Sequence, residues 1–544
     1  MNSPSGKNRA QAASRRSEAP PVSSLQRPAF LLYVFGCIAV VVLAAAILAN
    51  SMTKEIGRDE QMYVTAGVLL GEGQLIYRDF SYPSQLPYHP LLLATLYRGL
   101  DTTHYLLAGR LVSAVSDILI VVLILLIYRS IFSDRRPEGL LFGLAAATLY
   151  VFNPFVDYAS GYAWNHDVVI ACVVLALWLL VTTDFQKRSR YWRVGLMGAL
   201  LTFATCMRVT TALVELAFFA ALLWMAEGSL RHKVRTALPF LAGALILAIW
   251  PAWVIAQAPR AFLLNLVHIP TLYGRWLHEI GMTFSKIALT INAVLTPACL
   301  ILLVLAGGLA WVGLRCRSHL DGQEKRKAVV TGALPVLFLL IAYIPPTMWI
   351  QYLAVPVPFL AIAFAYPLLA LRRRAEALKA DRASSRGFGG QLEMCALPGA
   401  ALLSVLVYST VLSRAIFVLV PERWEPIRLH RVSREMTERV KEPRLVLTLG
   451  PLYSLEGGCD IYPELSSGDI VYRIADRMTP EERRITHTVG PGTLVEMVKG
   501  RPPAAVIVGV EPQRFASLEE PLRRLVSTDW HRVDAGTLQV YLRP

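Results

Sequence analysis

Gly57-Arg58-Asp59-Glu60-Gln61-Met62-Tyr63 follows closely on the first long apolar run of this chain, residues 30–50. The stretch places two adjacent carboxylates just beyond a segment that is long enough to cross a bilayer as a helix. Acidic side chains next to lipid are costly unless they are paired, solvated or functional. The stretch therefore indicates a membrane-embedded chain whose chemistry lies at the membrane surface.

The composition agrees with a membrane protein. The chain has 544 residues, of which 55% are hydrophobic and 17% charged, and its mean hydropathy of +0.46 is unusual for a soluble globular protein. The run 194–226 is long enough for two helices with a break near Arg208, so we expect about eleven transmembrane helices. The apolar runs lie at 30–50, 104–128, 139–157, 163–183, 194–226, 237–256, 291–314, 329–346, 352–371 and 393–420.

The distribution of Lys and Arg predicts the topology. Basic residues cluster between alternate apolar runs, and the positive-inside rule then places the N-terminus in the cytoplasm. The 51–103 loop and the C-terminal part are then expected outside. The basic clusters fall between alternate spans only if 194–226 is a hairpin of two helices. The net charge of +15 arises in the membrane half, since residues 421–544 hold 18 basic and 18 acidic side chains. We therefore expect no nucleic-acid partner.

Three regions follow from these patterns. Residues 1–28 are polar and are expected to form a disordered cytoplasmic tail, and residues 29–420 a transmembrane domain. Residues 421–544 have strand-length apolar runs at 444–449, 504–509 and 538–542, with amphipathic helical stretches between them. They predict a small α/β domain outside the membrane. The predicted fold class is thus an α-helical polytopic membrane protein with a small C-terminal α/β domain.

Several polar side chains at the expected outer surface could carry chemistry. A carboxylate such as Asp59 or Glu60 suits general-base catalysis, although an acidic pair beyond a span is also typical of a solvated loop start. Arg208, inside the 194–226 hairpin, either neutralises a buried carboxylate or faces an outer cavity. The other candidates lie in Tyr77-Arg78-Asp79-Phe80, Tyr88-His89-Pro90, Trp164-Asn165-His166-Asp167 and Gln351-Tyr352.

The early acidic pair, the stretch Gly73-Gln74-Leu75-Ile76-Tyr77-Arg78-Asp79-Phe80 and the proline-rich return at 83–90 resemble the GT-C glycosyltransferases. Within them, the pattern is similar to the branch of protein O-mannosyltransferases and lipid A aminoarabinose transferases. The resemblance covers roughly residues 30–372 and is strongest over 57–97. It implies a polyprenyl-phosphate sugar as donor and transfer outside the membrane with inversion.

The resemblance also implies roles for individual residues. Asp59 would be the catalytic base, with Glu60 beside it as a positioning or second acidic group, and Asp167 would be the second acidic site, with His166 adjacent. This chain departs from the aminoarabinose branch at one point, since it has Tyr88-His89-Pro90 where that branch shows a Lys-Pro-Pro element. The candidates for contacts to the donor phosphate are Arg58, Arg78, His89 and Tyr352, and more weakly Arg275 and His278.

The predicted protein is therefore a glycosyltransferase of the bacterial inner membrane that acts on an envelope glycan, lipid or protein. The sequence predicts no cofactor, and no third ligand for a metal is visible by spacing near His166-Asp167. Two other classes remain open at this stage: a transporter or lipid-linked sugar flippase, and an envelope scaffold. A transporter would be expected to show internal repeats and midplane polar groups, whereas the polar groups here crowd the outer side.

Overall fold

The structure of the protein is a computed structural model that describes residues 26–283, 285–380 and 394–544. The predicted cytoplasmic tail, residues 1–28, lies outside the described residues apart from the backbone at the start of the first helix. The side chain of Arg58 also lies outside the described part.

The first two thirds of the chain are helical. Helices appear where long apolar runs combine strong helix formers with Gly, Pro or polar residues at the breaks. In chain order they are α1 Gln26–Thr53, α2 Arg58–Gly71, α3 Tyr88–Leu100, α4 Tyr105–Ile131, α5 Arg136–Val151, α6 Pro154–Ala159, α7 His166–Thr182, α8 Arg190–Thr205, α9 Ala212–Met225, α10 Leu230–Gln257, α11 Pro259–Leu263, α12 Ile269–Glu279, α13 Lys286–Val294, α14 Pro297–Cys316, α15 Gly322–Ala342, α16 Pro356–Ala363, α17 Ala365–Ala380, α18 Ala396–Val407 and α19 Thr410–Ala415.

Five helical segments of the described residues are long and apolar enough to cross a membrane, or six if the bent pair Ala396–Val407 and Thr410–Leu419 forms one span. Every apolar run predicted from the sequence falls on one or two helices, and the 194–226 run is broken between α8 and α9, next to Arg208. Helices such as α10 expose large apolar side chains, as membrane contact requires. The number of eleven spans stays a prediction, because several helices are shorter than a bilayer crossing.

Helix α2 lies in the first predicted outer loop. The sequence predicts a short helix over 61–70, and the helix indeed forms but begins earlier, at Arg58. The early start has a local cause, because the Glu60 carboxylate accepts a hydrogen bond of 2.7 Å from the backbone N–H of Gly57. Acidic residues in a first helical turn also interact favourably with the helix dipole.

The C-terminal region contains one five-stranded sheet, formed by β1 Leu445–Leu447, β2 Asp460–Ile461, β3 Ala505–Val508, β4 His531–Ala535 and β5 Leu538–Leu542. The strand order is β2-β1-β3-β5-β4, with β1 parallel to β2 and β3, and β5 antiparallel to β3 and β4. The helices of this region are α20 Glu425–Thr437, α21 Pro451–Glu456, α22 Asp469–Tyr472, α23 Pro480–Thr486, α24 Leu494–Gly500 and α25 Glu520–Arg523.

Three of these strands are the predicted ones, and the other two were missed for physical reasons. Strand β2 has only two residues, and β4 is polar and mostly exposed, so neither shows an apolar run. The region also shares its core with the outer loop: Leu452 and Ile461 pack in one apolar cluster with Tyr63 and Leu93. The domain boundary at residue 421 stays a prediction.

Polar contacts join the same two regions. The backbone N–H of Leu452 donates to the Gln61 side chain over 3.0 Å, and Ser467 donates to the Ser81 carbonyl over 3.0 Å. Both bonds are buried, and since the first reaches α2 itself and the second the loop that follows it, the C-terminal region holds the segment that carries Asp59.

Helices α8 and α10 cross at very close range. A Cβ atom added at Gly198 would lie 2.0 Å from the carbonyl oxygen of Phe240, and one added at Gly243 would lie 2.0 Å from that of Gly195. Small residues allow such close backbone approach in membrane proteins. The glycines therefore set the distance between the two helices.

Gly198→Ala should lower stability by about 1–3 kcal/mol, because the new methyl group forces the α8 and α10 backbones apart. The matched control is Gly307→Ala in α14, where an added Cβ meets no atom of the described residues within 4 Å. The measurement is the melting temperature of both variants in one detergent. Equal melting temperatures would contradict the close crossing.

Candidate active site at the outer loop

The adjacent residues Asp59 and Glu60 face different surroundings, since consecutive side chains on a helix diverge by about 100°. Glu60 is completely buried and forms an ion pair of 2.7 Å with Arg110, which is buried as well. The two Glu60 oxygens also accept hydrogen bonds from the backbone N–H groups of Gly57 and Ala163.

Arg110 completes this network by donating to backbone carbonyl groups. Its guanidinium reaches the carbonyl oxygens of Ser51, Lys54 and Glu55 at 2.7–3.0 Å. A buried ion pair is stable only when its remaining donors and acceptors are also satisfied, as they are here. Glu60 thereby ties α2 to the ends of α1 and α4, which supports a positioning role and not a direct part in the chemistry.

Arg110→Met should lower stability by about 3–5 kcal/mol, because it leaves the Glu60 charge buried without a partner. The control is Arg135→Met, which removes an exposed ion pair with Glu376 and should change stability by less than about 1 kcal/mol. Chemical unfolding in detergent measures both. Similar losses in the two variants would show that the buried pair does not anchor α2.

Asp59 is half-buried and lies on the same face of α2 as Tyr63, four residues later. Burial is the main cause that raises the pKa of Tyr63 above its ordinary value. Arg208 lowers this pKa, whereas Asp59 and Tyr352 raise it further. The Tyr63 hydroxyl donates to the Asn165 side-chain oxygen over 3.5 Å. Asp59, Arg208 and Tyr352 are within electrostatic range of the same hydroxyl.

Arg208 stands at the break between α8 and α9, where the chain is not helical and the side chain is half-buried. Its guanidinium donates to the Asn165 side-chain oxygen over 3.2 Å and to Nδ1 of His166 over 3.4 Å. Asn165 in turn donates to Gln85 over 2.8 Å and to the Met207 carbonyl over 2.9 Å. We name Asp59, Tyr63, Gln85, Asn165, His166, Arg208 and Tyr352 the Asp59 cluster.

Asp167 directly follows His166 in the sequence and is fully buried. It accepts a 2.8 Å hydrogen bond from the backbone of Gly161, a residue with a φ of 88°. A side chain at Gly161 would collide with Ser51, so only glycine fits this turn. The contacts of Asp167 support a role in shaping the turn that presents Asn165 and His166.

Lys54 supports the same turn from the end of α1. Its ammonium donates to the carbonyl oxygens of Asp157, Tyr158 and Ser160 and lies 4.6 Å from the centre of the Tyr162 ring. Burial lowers the pKa of Lys54 to about 8, which the nearby acidic side chains partly oppose.

The remaining sequence candidates take other positions. His89 is buried behind Tyr63, with ring centres 5.2 Å apart, and burial lowers its pKa to about 3. Its ring packs edge-on against Tyr63, and its role as a contact to the donor phosphate stays a prediction. Arg78 is half-exposed and pairs with Asp79 at 2.7 Å, while Arg275 and His278 are exposed. His166 contacts Arg208, and Asp59 and Tyr352 are within electrostatic range of Tyr63, whereas Arg78 pairs with Asp79.

Sequence reasoning did not assign Tyr63, Gln85 or Asn165, although all three lie in stretches that it singled out. Arg208 was noticed, but its two alternatives were left open. The structure places Arg208 at a helix break, where it contacts Asn165 and His166. A carboxylate and a guanidinium within electrostatic range of the same tyrosine can accept a proton from a hydroxyl group and hold an anionic leaving group.

Comparisons with known proteins give a family match over part of the chain and a shared fold. Residues 88–255 match the family model described as dolichyl-phosphate-mannose-protein mannosyltransferase, a stretch that includes Arg110, Asp167 and Arg208 but not Asp59. Among curated proteins, no sequence matches this chain.

Solved structures are similar over nearly the whole chain. ArnT from Cupriavidus metallidurans bound to undecaprenyl phosphate matches with a TM-score of 0.59 and 14% identity, covering 94% of this chain and 97% of ArnT. The apo state of that protein matches with the same score and identity, covering 95% and 98%. The Archaeoglobus fulgidus oligosaccharyltransferase tethered to an acceptor peptide matches more distantly, with a TM-score of 0.48, 10% identity and coverage of 94% and 74%.

These findings confirm the predicted resemblance: the chain is similar to GT-C glycosyltransferases, in sequence over residues 88–255 and in fold over nearly its whole length.

Proposed function

We propose that this protein is an integral-membrane glycosyltransferase that moves a sugar from a polyprenyl-phosphate donor to an envelope glycan, lipid or protein. The reaction takes place at the outer side of a bacterial inner membrane, with the N-terminus in the cytoplasm and the C-terminal region outside. One observation carries the proposal: the Arg208 guanidinium and the Tyr63 hydroxyl meet at the same Asn165 oxygen, and Asp59 lies on the same face of α2 as Tyr63.

The fold supports the nature of the donor. The ArnT structure that shares this fold holds undecaprenyl phosphate, and the family model over residues 88–255 is described by a dolichyl-phosphate sugar. Both lipids leave a monoester phosphate when the sugar departs. A guanidinium is well suited to bind that group through two parallel hydrogen bonds.

The proposed reaction is a single displacement at the anomeric carbon of the sugar. The acceptor hydroxyl oxygen attacks the anomeric carbon while its proton passes to the Asp59 carboxylate. The bond between the anomeric carbon and the phosphate oxygen breaks, and the electron pair leaves with the polyprenyl phosphate. Arg208, oriented by Asn165 and His166, stabilises the negative charge on that phosphate. Attack from the face opposite the phosphate inverts the anomeric configuration.

Asp59→Asn should lower the rate of sugar transfer by about 10²–10⁴-fold, because the amide cannot accept the hydroxyl proton. The assay gives radiolabelled polyprenyl-phosphate sugars one at a time to purified protein in nanodiscs, together with a bacterial envelope extract as source of acceptor, and measures released polyprenyl phosphate. The matched control is Glu55→Gln, which neutralises an exposed carboxylate in the same loop and should leave the rate unchanged.

If Asp59→Asn keeps full activity, Asp59 is not the catalytic base, but the protein is still a glycosyltransferase. If folded wild-type protein turns over none of the donors, the proposed reaction is wrong. Movement of the intact lipid-linked sugar across the membrane would then favour a flippase.

Arg208→Gln should lower kcat/KM for the donor by about 10–100-fold, the loss expected for a hydrogen bond to a charged group of about 1.5–3 kcal/mol. Arg98→Gln, an exposed arginine of α3, is the control and should behave as wild type. Binding of polyprenyl phosphate alone, measured by displacement, should weaken in parallel. Unchanged binding would exclude Arg208 as the phosphate contact.

A further inference from the structure

Two histidines and a glutamate meet where the outer loop contacts the C-terminal region. His104 precedes the first turn of α4, His430 lies in α20, and Glu456 ends α21. One ligand atom from each residue lies within 4.8 Å of the other two. None of the three belongs to the Asp59 cluster, so they require a separate explanation.

The three side chains lie close together, and the two stacked rings would separate and turn their edges to the ion on binding. The imidazole rings of His104 and His430 stack with centres 3.6 Å apart, and Nδ1 of His430 lies 2.6 Å from a Glu456 oxygen. The second Glu456 oxygen accepts a 2.7 Å hydrogen bond from the backbone of Leu106, which fixes the carboxylate orientation. In protein metal sites, hydrogen bonds of this kind fix the orientation of the side chains that bind the metal.

One buried imidazole nitrogen of this group is available to bind a ligand. Nδ1 of His104 is buried and has no hydrogen-bond partner in the part of the chain that the structure describes. A buried nitrogen without a partner is unfavourable. A metal ion between the three side chains would satisfy it and would also provide positive charge beside the fully buried Glu456.

The distances suit such an ion. Zinc binds imidazole nitrogen at about 2.0–2.1 Å and carboxylate oxygen at about 2.0–2.2 Å, which separates tetrahedral ligand atoms by about 3.4 Å. The contact between His430 and Glu456 would open by less than about 1 Å, and the other pairs would close by at most about 1.4 Å. Rotation of the side chains supplies movements of this size. Imidazole nitrogens select zinc or a similar transition metal over calcium and magnesium.

We propose that His104, His430 and Glu456 bind one divalent transition-metal ion, with zinc as the fitting metal and water as the fourth ligand. The ion joins the start of α4 to α20 and α21. It therefore fastens the C-terminal region to the membrane helices beside the segment that holds α2. The proposal is independent of the sugar-transfer reaction.

The test uses the full-length protein in detergent, stripped with EDTA and then dialysed against buffered Zn²⁺. We expect one zinc ion per chain by elemental analysis and a higher melting temperature that EDTA reverses. His104→Ala and His430→Ala should each weaken Zn²⁺ binding by at least about 10-fold. His531→Gln, an exposed histidine of β4, should bind as wild type. Zinc binding by His430→Ala equal to that of wild type would overturn the site.

Co²⁺ added to the stripped wild-type protein gives a second readout that needs no variant to fold. Intense visible absorption bands typical of four-coordinate cobalt, removed by one equivalent of Zn²⁺, would support the site. Weak bands of six-coordinate cobalt, or none, would leave His430 and Glu456 as a simple ion pair and overturn the proposal.

Discussion

The buried ion pair between Glu60 and Arg110 is the constraint on which the arrangement around α2 depends. Glu60 lies in α2 and Arg110 in α4, and the arginine also holds the carbonyl groups that end α1. One charged pair thus sets the relative position of three helices. Because Asp59 is the neighbour of Glu60, the same pair determines where Asp59 can point.

The C-terminal region also holds α2 in place. It packs on α2 through shared apolar residues and forms hydrogen bonds with Gln61 and Ser81. Helix α2 is therefore held by both the membrane helices and the C-terminal region. A site confined in this way is pre-organised, since its side chains lose little further freedom when a substrate binds. The proposed metal ion would strengthen the same junction.

Much of this could be predicted from the sequence, because it depends on local patterns. Apolar runs indicated the helices, strand-length runs indicated β1, β3 and β5, and the acidic pair indicated the segment of interest. The pairing of Glu60 with Arg110 and the meeting of His104 with His430 could not be predicted, since each joins residues far apart in sequence. Asp59 and Glu60 also look equivalent in the sequence, and only the direction of each side chain separates their roles.

The close crossing of α8 and α10 has a consequence for motion near Arg208. Backbones in contact at Gly198 and Gly243 cannot slide past each other without a clash, so the two helices move as one rigid unit. Arg208 lies three residues after α8, before a short 3-10 turn at Val209–Thr211 that leads into α9. A shift of the Arg208 backbone relative to the α8 and α10 unit therefore requires rotation about backbone bonds within residues 206–211.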